Sequence, residues 1–253
     1  MTRDPGLRSD AFLGGQLTLL QPTQGYRAGM DAVLLAAACP AKAGESVLDV
    51  GCGVGTAALC LGTRVPGLRL FGVERQTEIA EIARRNGTAC TQDFTVFAAD
   101  ITRPPGALKA ESFNHAIMNP PYFRRSASSR SDLAPREAAM GEDTALPDLI
   151  RAAARRLQPG GSFTIIHRAE RVPDILAALD ALRFGATALR PLLPREGKPA
   201  RLVLLQSRKG RRAAFRLLAP LVIHAAPQHA RDGEDYTDTL RAILRDGAPL
   251  PLE

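Results

Sequence analysis

The sequence predicts an α/β protein with a mostly parallel sheet, helices on both faces and an antiparallel hairpin at one edge. Three observations predict this class. Short apolar runs alternate with helical segments along most of the chain. The first run breaks directly into closely spaced glycines, as strands of such sheets often do. Two further runs near the end follow each other with no helical segment between them, which favours a hairpin.

Five apolar runs with strand character precede the hairpin. They are Val47–Val50, "LRLFGVE", "FTVFAAD", "FNHAIM" and "SFTIIHR". Helices are predicted over "TAALCLGTRV", "QTEIAEIARRNG", "LPDLIRAAARRLQPGG" and "RVPDILAALDALRFG", with Gly87 and a Pro-Gly-Gly triplet as stop signals. The runs "ATALRPLLP" and "ARLVLLQSRKG" then predict the two hairpin strands.

The predicted strands leave two segments outside the alternating pattern. Residues 1–43 precede the first strand and are predicted to form an N-terminal extension packed on a domain of residues 44–253. Residues 124–143 form the one long loop-like stretch. A loop of that length in a compact domain is usually functional or mobile.

Composition restricts the possible functions. The chain has 253 residues, 45% of them hydrophobic and 23% charged, which is ordinary for a soluble globular protein. No window approaches a membrane span, and the polar start carries no secretory signal. The four cysteines and four histidines show no metal-ligand spacing, so we expect reduced thiols, a cytoplasmic location and no metal. The net charge of +7 fits a nucleic-acid partner, although composition bias alone could produce it.

The glycine turn after the first strand indicates a nucleotide-type ligand. Asp49 is followed by Gly51, Gly53 and Gly55, and glycines let the backbone approach a ligand closely. The third glycine of a dinucleotide fingerprint is replaced by Thr56, and no Gly-Lys-Ser/Thr follows. Both the nicotinamide fingerprint and the P-loop are therefore excluded.

Acidic residues end the first three strands. Glu74 stands where an acid can accept ribose hydroxyls, and Asp100 where it can accept an adenine amine. Asp49 at the first strand end favours a cationic amine over a pyrophosphate. A nucleoside with a positively charged amino-acid tail, S-adenosylmethionine, fits all three positions. The alternative is that the glycines form only a tight turn and the acids only cap helices.

The fourth strand ends in Asn119-Pro120-Pro121-Tyr122. Two prolines lack N–H donors, so the chain leaves the sheet here along a stiff path. The Asn119 side-chain oxygen and the Pro120 carbonyl can accept two N–H bonds from a planar amine and direct its lone pair. Tyr122 can stack on a planar group. Such a site transfers a methyl group without a metal, a general base or a covalent nucleophile.

Several segments resemble one known family. "VLDVGCGVGT" resembles motif I of the class I S-adenosylmethionine-dependent methyltransferases, and "NPPYF" resembles motif IV of their amino-methylating branch. "LLQPTQGYRAGMDAVLLAA", "IHRAERVPDIL", "GKPARLVLLQSRKG" and "YTDTLRAIL" are similar to the tRNA-valine adenine methyltransferase family of the small-domain group. The resemblance runs from about Phe12 to Leu244.

The resemblance implies a Rossmann-like, seven-stranded sheet and methylation of the exocyclic amine of an adenine beside the anticodon. The residues then expected to bind the cofactor are Asp49, Gly51, Gly53, Gly55, Glu74, Asp100, Ile101 and Asn119. The residues expected to act on the base are Asn119, Pro120 and Tyr122. The residues expected to contact the substrate are Pro121, Tyr122, Phe123, Arg124 and Arg125, with Phe123 equally suited to the core.

Basic residues around the acceptor motif could hold RNA phosphates. They are Arg124, Arg125, Arg130 and Arg136, the segment Arg195–Arg201 and the segment Ser207–Arg212. A solvated basic face is the alternative for each. Tyr26, Arg27 and Asp31 could close over the cofactor or only pack the extension on the domain. We expect His167 to make a structural hydrogen bond.

Three other functions remain open at this level. Asn-Pro-Pro-Tyr also suits the planar amide of a protein glutamine. A guanine methyltransferase of ribosomal RNA would share the fold. A non-catalytic RNA-binding relative would keep the fold without turnover. Net basicity and the terminal segments favour RNA adenine methylation, and the sequence predicts no oligomeric state.

Overall fold

The computed structural model describes residues 6–25, 27–121, 123–124, 141–142, 144–226 and 235–252. Its strands are β1 Leu7–Phe12, β2 Leu17–Pro22, β3 Ser46–Val50, β4 Arg69–Glu74, β5 Phe94–Ala98, β6 Phe113–Met118, β7 Phe123–Arg124, β8 Gly141–Glu142, β9 Leu157–Arg168, β10 Phe184–Leu193, β11 Leu202–Lys209, β12 Arg216–Leu217 and β13 Leu221–Val222. Its helices are α1 Met30–Ala38, α2 Thr56–Arg64, α3 Thr77–Ala89, α4 Gly106–Ala110, α5 Leu146–Arg156, α6 Val172–Ala181 and α7 Asp238–Asp246.

The central sheet confirms the predicted class. Its order is β12-β10-β11-β9-β6-β3-β4-β5, and β13 also pairs with β10. The strands β5, β4, β3, β6 and β9 are parallel to one another, whereas β11 is antiparallel to both β9 and β10. The seven predicted strands correspond to the seven longer strands of this sheet, which are β3 to β6 and β9 to β11. Two strands of two residues each pair with β10, so the predicted hairpin is not the outermost part of its edge.

Helices cover both faces of the sheet. On one face, α1, α2 and α7 bury Leu34, Leu59 and Leu240 in a shared core. On the other face, α5 and α6 bury Ile150 and Ile175. β3 lies between them and is buried along its whole length, as expected for a central parallel strand with apolar side chains on both faces.

Two predicted helix ends differ from the structure. Gly87 does not stop α3, which continues to Ala89; a side chain here would crowd Phe94, so close packing accounts for the glycine. The Pro-Gly-Gly triplet does not end α5 either. The helix ends at Arg156, and the triplet lies within the opening residues of β9. The short helix α4 has no counterpart among the predicted elements.

The N-terminal extension forms the β1–β2 hairpin and α1. Residues Ala32–Ala38 of α1 are buried without exception, and Leu19 of β2 belongs to the same core. The buried Asn86 amide joins the hairpin to the glycine turn, because its Nδ2 donates to Leu20 O at 3.0 Å and Val54 O at 2.9 Å. The extension therefore shares one core with the sheet, and the boundary at residue 43 stays a prediction.

Candidate active site

A cavity of about 360 Å³ opens at the carboxyl edge of the sheet, which is the edge where the parallel strands end. Carboxyl ends of parallel strands are where open α/β sheets bind ligands. Among the predicted site residues, those that line this cavity are Asp49, Gly51, Gly53, Glu74, Asp100, Ile101, Asn119, Pro120 and Pro121. Residues from four strand ends thus meet at one place.

The glycine turn separates into two functions. Gly51 and Gly53 line the cavity with φ of 72° and 55°, and a Cβ on either would meet no atom within 4 Å. Gly55 lies behind the lining as the N-cap of α2, with φ of 88°. A Cβ on Gly55 would stand 2.7 Å from Cε1 of Phe94. Gly55 is therefore needed for packing and backbone conformation, and it does not line the cavity as a cofactor contact would.

Asp49 places a buried carboxyl at the floor of the cavity, with 2% of its surface exposed. The backbone N–H of Ala58 donates to Asp49 Oδ2 at 3.3 Å. Burial raises the pKa of Asp49 to about 7, and the nearby Glu74 carboxylate adds to the rise. A carboxyl held this way gains most from a ligand that brings a positive charge.

Glu74 and Asp100 are held by backbone donors at the next two strand ends. Glu74 Oε2 accepts the Gly53 N–H at 3.1 Å, and its Oε1 accepts the Gln76 N–H at 2.9 Å. Asp100 Oδ1 accepts both the backbone N–H and the hydroxyl of Thr102 at 2.8 Å. These bonds fix both carboxylates against the cavity, and within the described residues Asp100 Oδ2 has no hydrogen-bond partner.

Asn119 and Pro120 line the same cavity from the end of β6. Pro120 is buried and Pro121 is exposed at the mouth. Tyr122 and Arg125 lie outside the described residues, as do Arg130 and Arg136. The backbone of Phe123 and Arg124 forms β7, which pairs in parallel with β8.

The N-terminal extension supplies part of the cavity wall that the sequence motifs do not indicate. The buried Gln21 lines the cavity together with Gln24 and Ala28. Gln21 Oε1 accepts the Ala28 N–H at 2.8 Å, and its Nε2 donates to Ala28 O at 3.2 Å and to Asp10 Oδ2 at 2.9 Å. This one amide ties Ala28 to β2 beside the cavity.

Of the three residues of the extension that could close over the cofactor, the structure describes Arg27 and Asp31. Arg27 lies 3.7 Å from Asp10 through its Nε, and Asp31 is half-buried in the first turn of α1. Neither lines the cavity, whereas their neighbours Gly25, Ala28 and Ala32 do. Tyr26 lies outside the described residues.

The two basic segments lie at opposite ends of the strands, one on the cavity side of the sheet and one on the side away from it. Because β11 is antiparallel, Leu202 pairs with Arg168 near the cavity and Arg208 pairs with Ser162 at the far end of β9. The segment Arg195–Arg201 is thus on the cavity side and Ser207–Arg212 on the other. Within the first segment Arg195 is buried and paired with Asp235 at 2.7 Å, so it is a structural ion pair and not the expected phosphate contact.

Other reactive groups belong to the scaffold. His115 joins Ser162 Oγ at 2.7 Å and Glu45 Oε2 at 2.8 Å, but Ser162 is fully buried at the edge opposite the cavity and cannot meet a substrate. Burial also raises the pKa of the Cys52 thiol well above its ordinary value, so that it stays protonated. The Arg168 N–H donates to His167 Nδ1 at 2.7 Å, which is the expected structural bond.

The cavity fits a ligand with a polar, cationic tail. Thr56 Oγ1 lines it and is buried without a hydrogen-bond partner among the described residues, which is costly unless a ligand supplies one. Gly51 and Gly53 leave open space beside that hydroxyl, and Asp49 supplies the anion. Ile101, Val73 and Ile79 add apolar wall. No cluster of metal-ligating side chains occurs within the described residues.

The fold and this site define a class I S-adenosylmethionine-dependent methyltransferase. The chain belongs to the methyltransferase small domain family, which matches residues 29–179. S-adenosylmethionine is accordingly its cofactor.

Two curated relatives cover nearly the whole chain. Both are named tRNA1(Val) (adenine(37)-N6)-methyltransferase. The protein of Dickeya chrysanthemi is 27% identical over 250 residues, which are 96% of this chain and 95% of the relative. The protein of Aeromonas hydrophila is 30% identical over 224 residues, which are 87% of this chain and 91% of the relative.

Solved structures show the same fold. A protein of Agrobacterium tumefaciens described as a predicted O-methyltransferase has a TM-score of 0.70 at 29% identity, covering 87% of this chain and 98% of its own. An S-adenosylmethionine-dependent O-methyltransferase of Thermotoga maritima has a TM-score of 0.53 at 18% identity, covering 76% and 69%. In the described part of the chain, no helix has the length and apolar character needed to cross a bilayer.

Proposed function

We propose that the enzyme methylates the exocyclic amine of an adenine in RNA, and that this RNA is a tRNA modified beside its anticodon. The observation that carries the proposal is the shared cavity: Asn119 and Pro120 of the acceptor motif line the same space as Asp49, Glu74 and Asp100. The residues proposed to bind the methyl donor and those proposed to hold the acceptor amine thus border one space.

The chemistry of the acceptor follows from the end of β6. An exocyclic amine is a poor nucleophile because its lone pair is delocalised into the ring. Asn119 Oδ1 and the Pro120 carbonyl can accept its two N–H bonds, which localises the lone pair and stabilises the positive charge that develops. Pro120 is buried and conformationally restricted, so its carbonyl is held in place before the substrate arrives. Tyr122 is proposed to stack on the base, worth ~1–3 kcal/mol.

The cofactor-binding roles are also proposals. Asp49 would hold the cationic tail, with the Thr56 hydroxyl and the turn at Gly51 and Gly53 beside it. Glu74 would accept the ribose hydroxyls and Asp100 the adenine amine, while Ile101 would pack on the adenine ring. S-adenosylmethionine, when bound, supplies a methyl group activated by its positive sulfur. Gly55 would support this site from behind, through α2.

The RNA substrate is supported by two independent facts. The curated relatives, at 27% and 30% identity, carry names that specify adenine 37 of a valine tRNA. The chain has a net charge of +7, which favours a polyanionic partner. An enzyme with this substrate would work in the cytoplasm. The fold alone fits protein glutamine or ribosomal guanine equally well, so the assay must separate these substrates.

The test uses radiolabelled methyl donor with total RNA and total protein from cells that lack the gene. We expect label in the tRNA fraction only. Nuclease digestion should release it as a nucleoside that mass spectrometry identifies as N6-methyladenosine. Label in protein as methylglutamine, or in ribosomal RNA as methylguanosine, would replace the proposal with the corresponding alternative. Cofactor binding without transfer to any fraction would indicate a non-catalytic relative.

A further inference from the structure

A strongly basic surface lies at the amino edge of the sheet, opposite the cavity. It comprises Arg155 at the end of α5, Arg183 before β10, and Lys209, Arg211 and Arg212 around the end of β11; we call it the amino-edge basic surface. Arg155, Arg183, Arg211 and Arg212 are exposed. The six β9 residue steps from Ser162 to Arg168 put this surface roughly 20 Å from the cavity side.

This surface is built on a rigid turn. Gly210 has φ of 72°, and its N–H donates to Arg183 O at 2.9 Å. A Cβ on Gly185 would stand 2.1 Å from Arg211 O, so that β10 and the turn are in direct backbone contact. Lys209 Nζ donates to Ala154 O at 2.7 Å and Leu157 O at 2.8 Å, which joins the turn to α5. The backbone positions of these basic residues are therefore fixed relative to one another.

The exposed arginines of this surface are not neutralised by acidic side chains. Some arginines elsewhere do pair with carboxylates, as Arg84 does with Glu81 and Arg241 with Asp238. By contrast, Arg155, Arg183, Arg211 and Arg212 have no carboxylate partner within the described part of the chain. Four exposed arginines held together without anions repel one another, and an external anion relieves that repulsion.

An exposed aromatic ring follows the same basic segment in the chain. Phe215 follows Arg212 by a few residues and has 51% of its surface exposed. Phe215 and Leu217 are the only large apolar side chains that are exposed among the described residues. Arginine forks fit phosphate groups, and an exposed ring can stack on a nucleobase, so the combination suits RNA.

We propose that the amino-edge basic surface, with Phe215, binds the backbone of the RNA substrate at a distance from the methylated base. The proposal rests on the proposed function for the identity of that RNA. A folded tRNA is much longer than the ~20 Å that separates the two sites. One molecule can therefore present a loop base to the cavity and other phosphates to this surface, and a short stem-loop cannot use both equally.

The test compares two double variants of equal charge change in the full-length protein. Arg211→Ala/Arg212→Ala alters the amino-edge basic surface, whereas Lys42→Ala/Arg69→Ala removes two exposed charges near β3 and β4. Affinity for an unmodified tRNA transcript is measured from 50 to 200 mM salt. We expect roughly tenfold weaker binding for the first variant, with a salt slope lower by about two, and little change for the second.

Two further measurements sharpen the result. Phe215→Ala should weaken tRNA binding roughly tenfold without changing the salt slope, whereas Leu217→Ala should not. For an isolated anticodon stem-loop, the Arg211→Ala/Arg212→Ala variant should bind nearly as well as wild type. In steady state, that variant should raise KM for whole tRNA and leave kcat unchanged.

Equal tRNA affinity for the two double variants, at unchanged melting temperature, would overturn the proposal. The proposal would also be overturned if Arg211→Ala/Arg212→Ala weakened binding to anionic phospholipid vesicles but not to tRNA. That result would assign the surface to membrane binding. Binding is measured without methyl transfer and can be repeated with mixed tRNA. The outcome therefore stands even if the wild-type enzyme methylates no tRNA, which would count against the proposed function alone.

Discussion

Asp49 and Asn119 line one cavity from the ends of the neighbouring strands β3 and β6. Asp49 pairs with Ile117 in the parallel register, so Asn119 stands just beyond it towards the carboxyl edge. This adjacency is what permits a cofactor group at one residue and an acceptor amine at the other to meet.

Ionisation of the buried Asp49 carboxyl is predicted to lower the free energy of unfolding. Burial raises its pKa to about 7 from an ordinary value of 3.8, so the folded state retains a proton that the unfolded chain releases. The stability that this carboxyl contributes therefore falls as pH rises from about 4 to 7. We expect Asp49→Asn to raise the melting temperature at pH 8 while weakening cofactor affinity ~100-fold. A lower melting temperature measured by calorimetry would contradict the assignment.

Cofactor affinity is predicted to depend on pH through the same group. A cationic ligand favours the ionised carboxylate, so affinity should rise as pH increases through the pKa of about 7. The expected gain between pH 6 and pH 8 is about tenfold by titration calorimetry. Asp49→Asn should bind weakly with no such dependence, and a pH-independent wild type would disprove the link.

Gln21 is predicted to position the cavity wall. Gln21→Ala removes both amide bonds to Ala28 and leaves its partly buried backbone groups without these partners, at a cost of ~1–2 kcal/mol. We expect the cofactor dissociation constant to rise about tenfold because Ala28, which lines the cavity, loses its support. Gln16→Ala is the control, because Gln16 is exposed and bonds Arg245 O. Equal affinities for the two variants would show that the wall does not depend on Gln21.

Alanine substitutions of Gly55 and Gly51 are predicted to have different effects on stability and on cofactor affinity. Gly55→Ala would combine a left-handed backbone, costing ~1–2 kcal/mol, with a clash against Phe94 of ~1–3 kcal/mol. Gly51→Ala would meet open space and carry only the backbone cost, but its methyl group would enter the cavity. Denaturant unfolding should rank Gly55→Ala as less stable, and calorimetry should find the larger loss of cofactor affinity in Gly51→Ala.

Much of the site could be predicted because strand ends are local features. Asp49, Glu74, Asp100 and Asn119 each follow an apolar run, and parallel pairing brings such ends together. Gly87 was assigned wrongly because a helix stop and a close packing contact use the same residue, and only the position of Phe94 separates them.

Long-range pairing accounts for what the sequence could not predict. Gln21 carries no motif, and its role depends on the fold of the extension. The pairing of Arg195 with Asp235 joins segments far apart in the chain. Charge alone suggests that the segment Ser207–Arg212 lies near the acceptor motif. Because β11 is antiparallel to β9, the segment instead lies at the end of the sheet away from the cavity.

The most direct test of the central claim is methyl transfer by Asn119→Ala, measured beside its affinity for S-adenosylmethionine. The account predicts that transfer to tRNA falls at least ~100-fold, as for loss of one oriented acceptor, while cofactor affinity changes little. Wild-type transfer rates from Asn119→Ala would contradict it, because the amine would then be oriented by some other group.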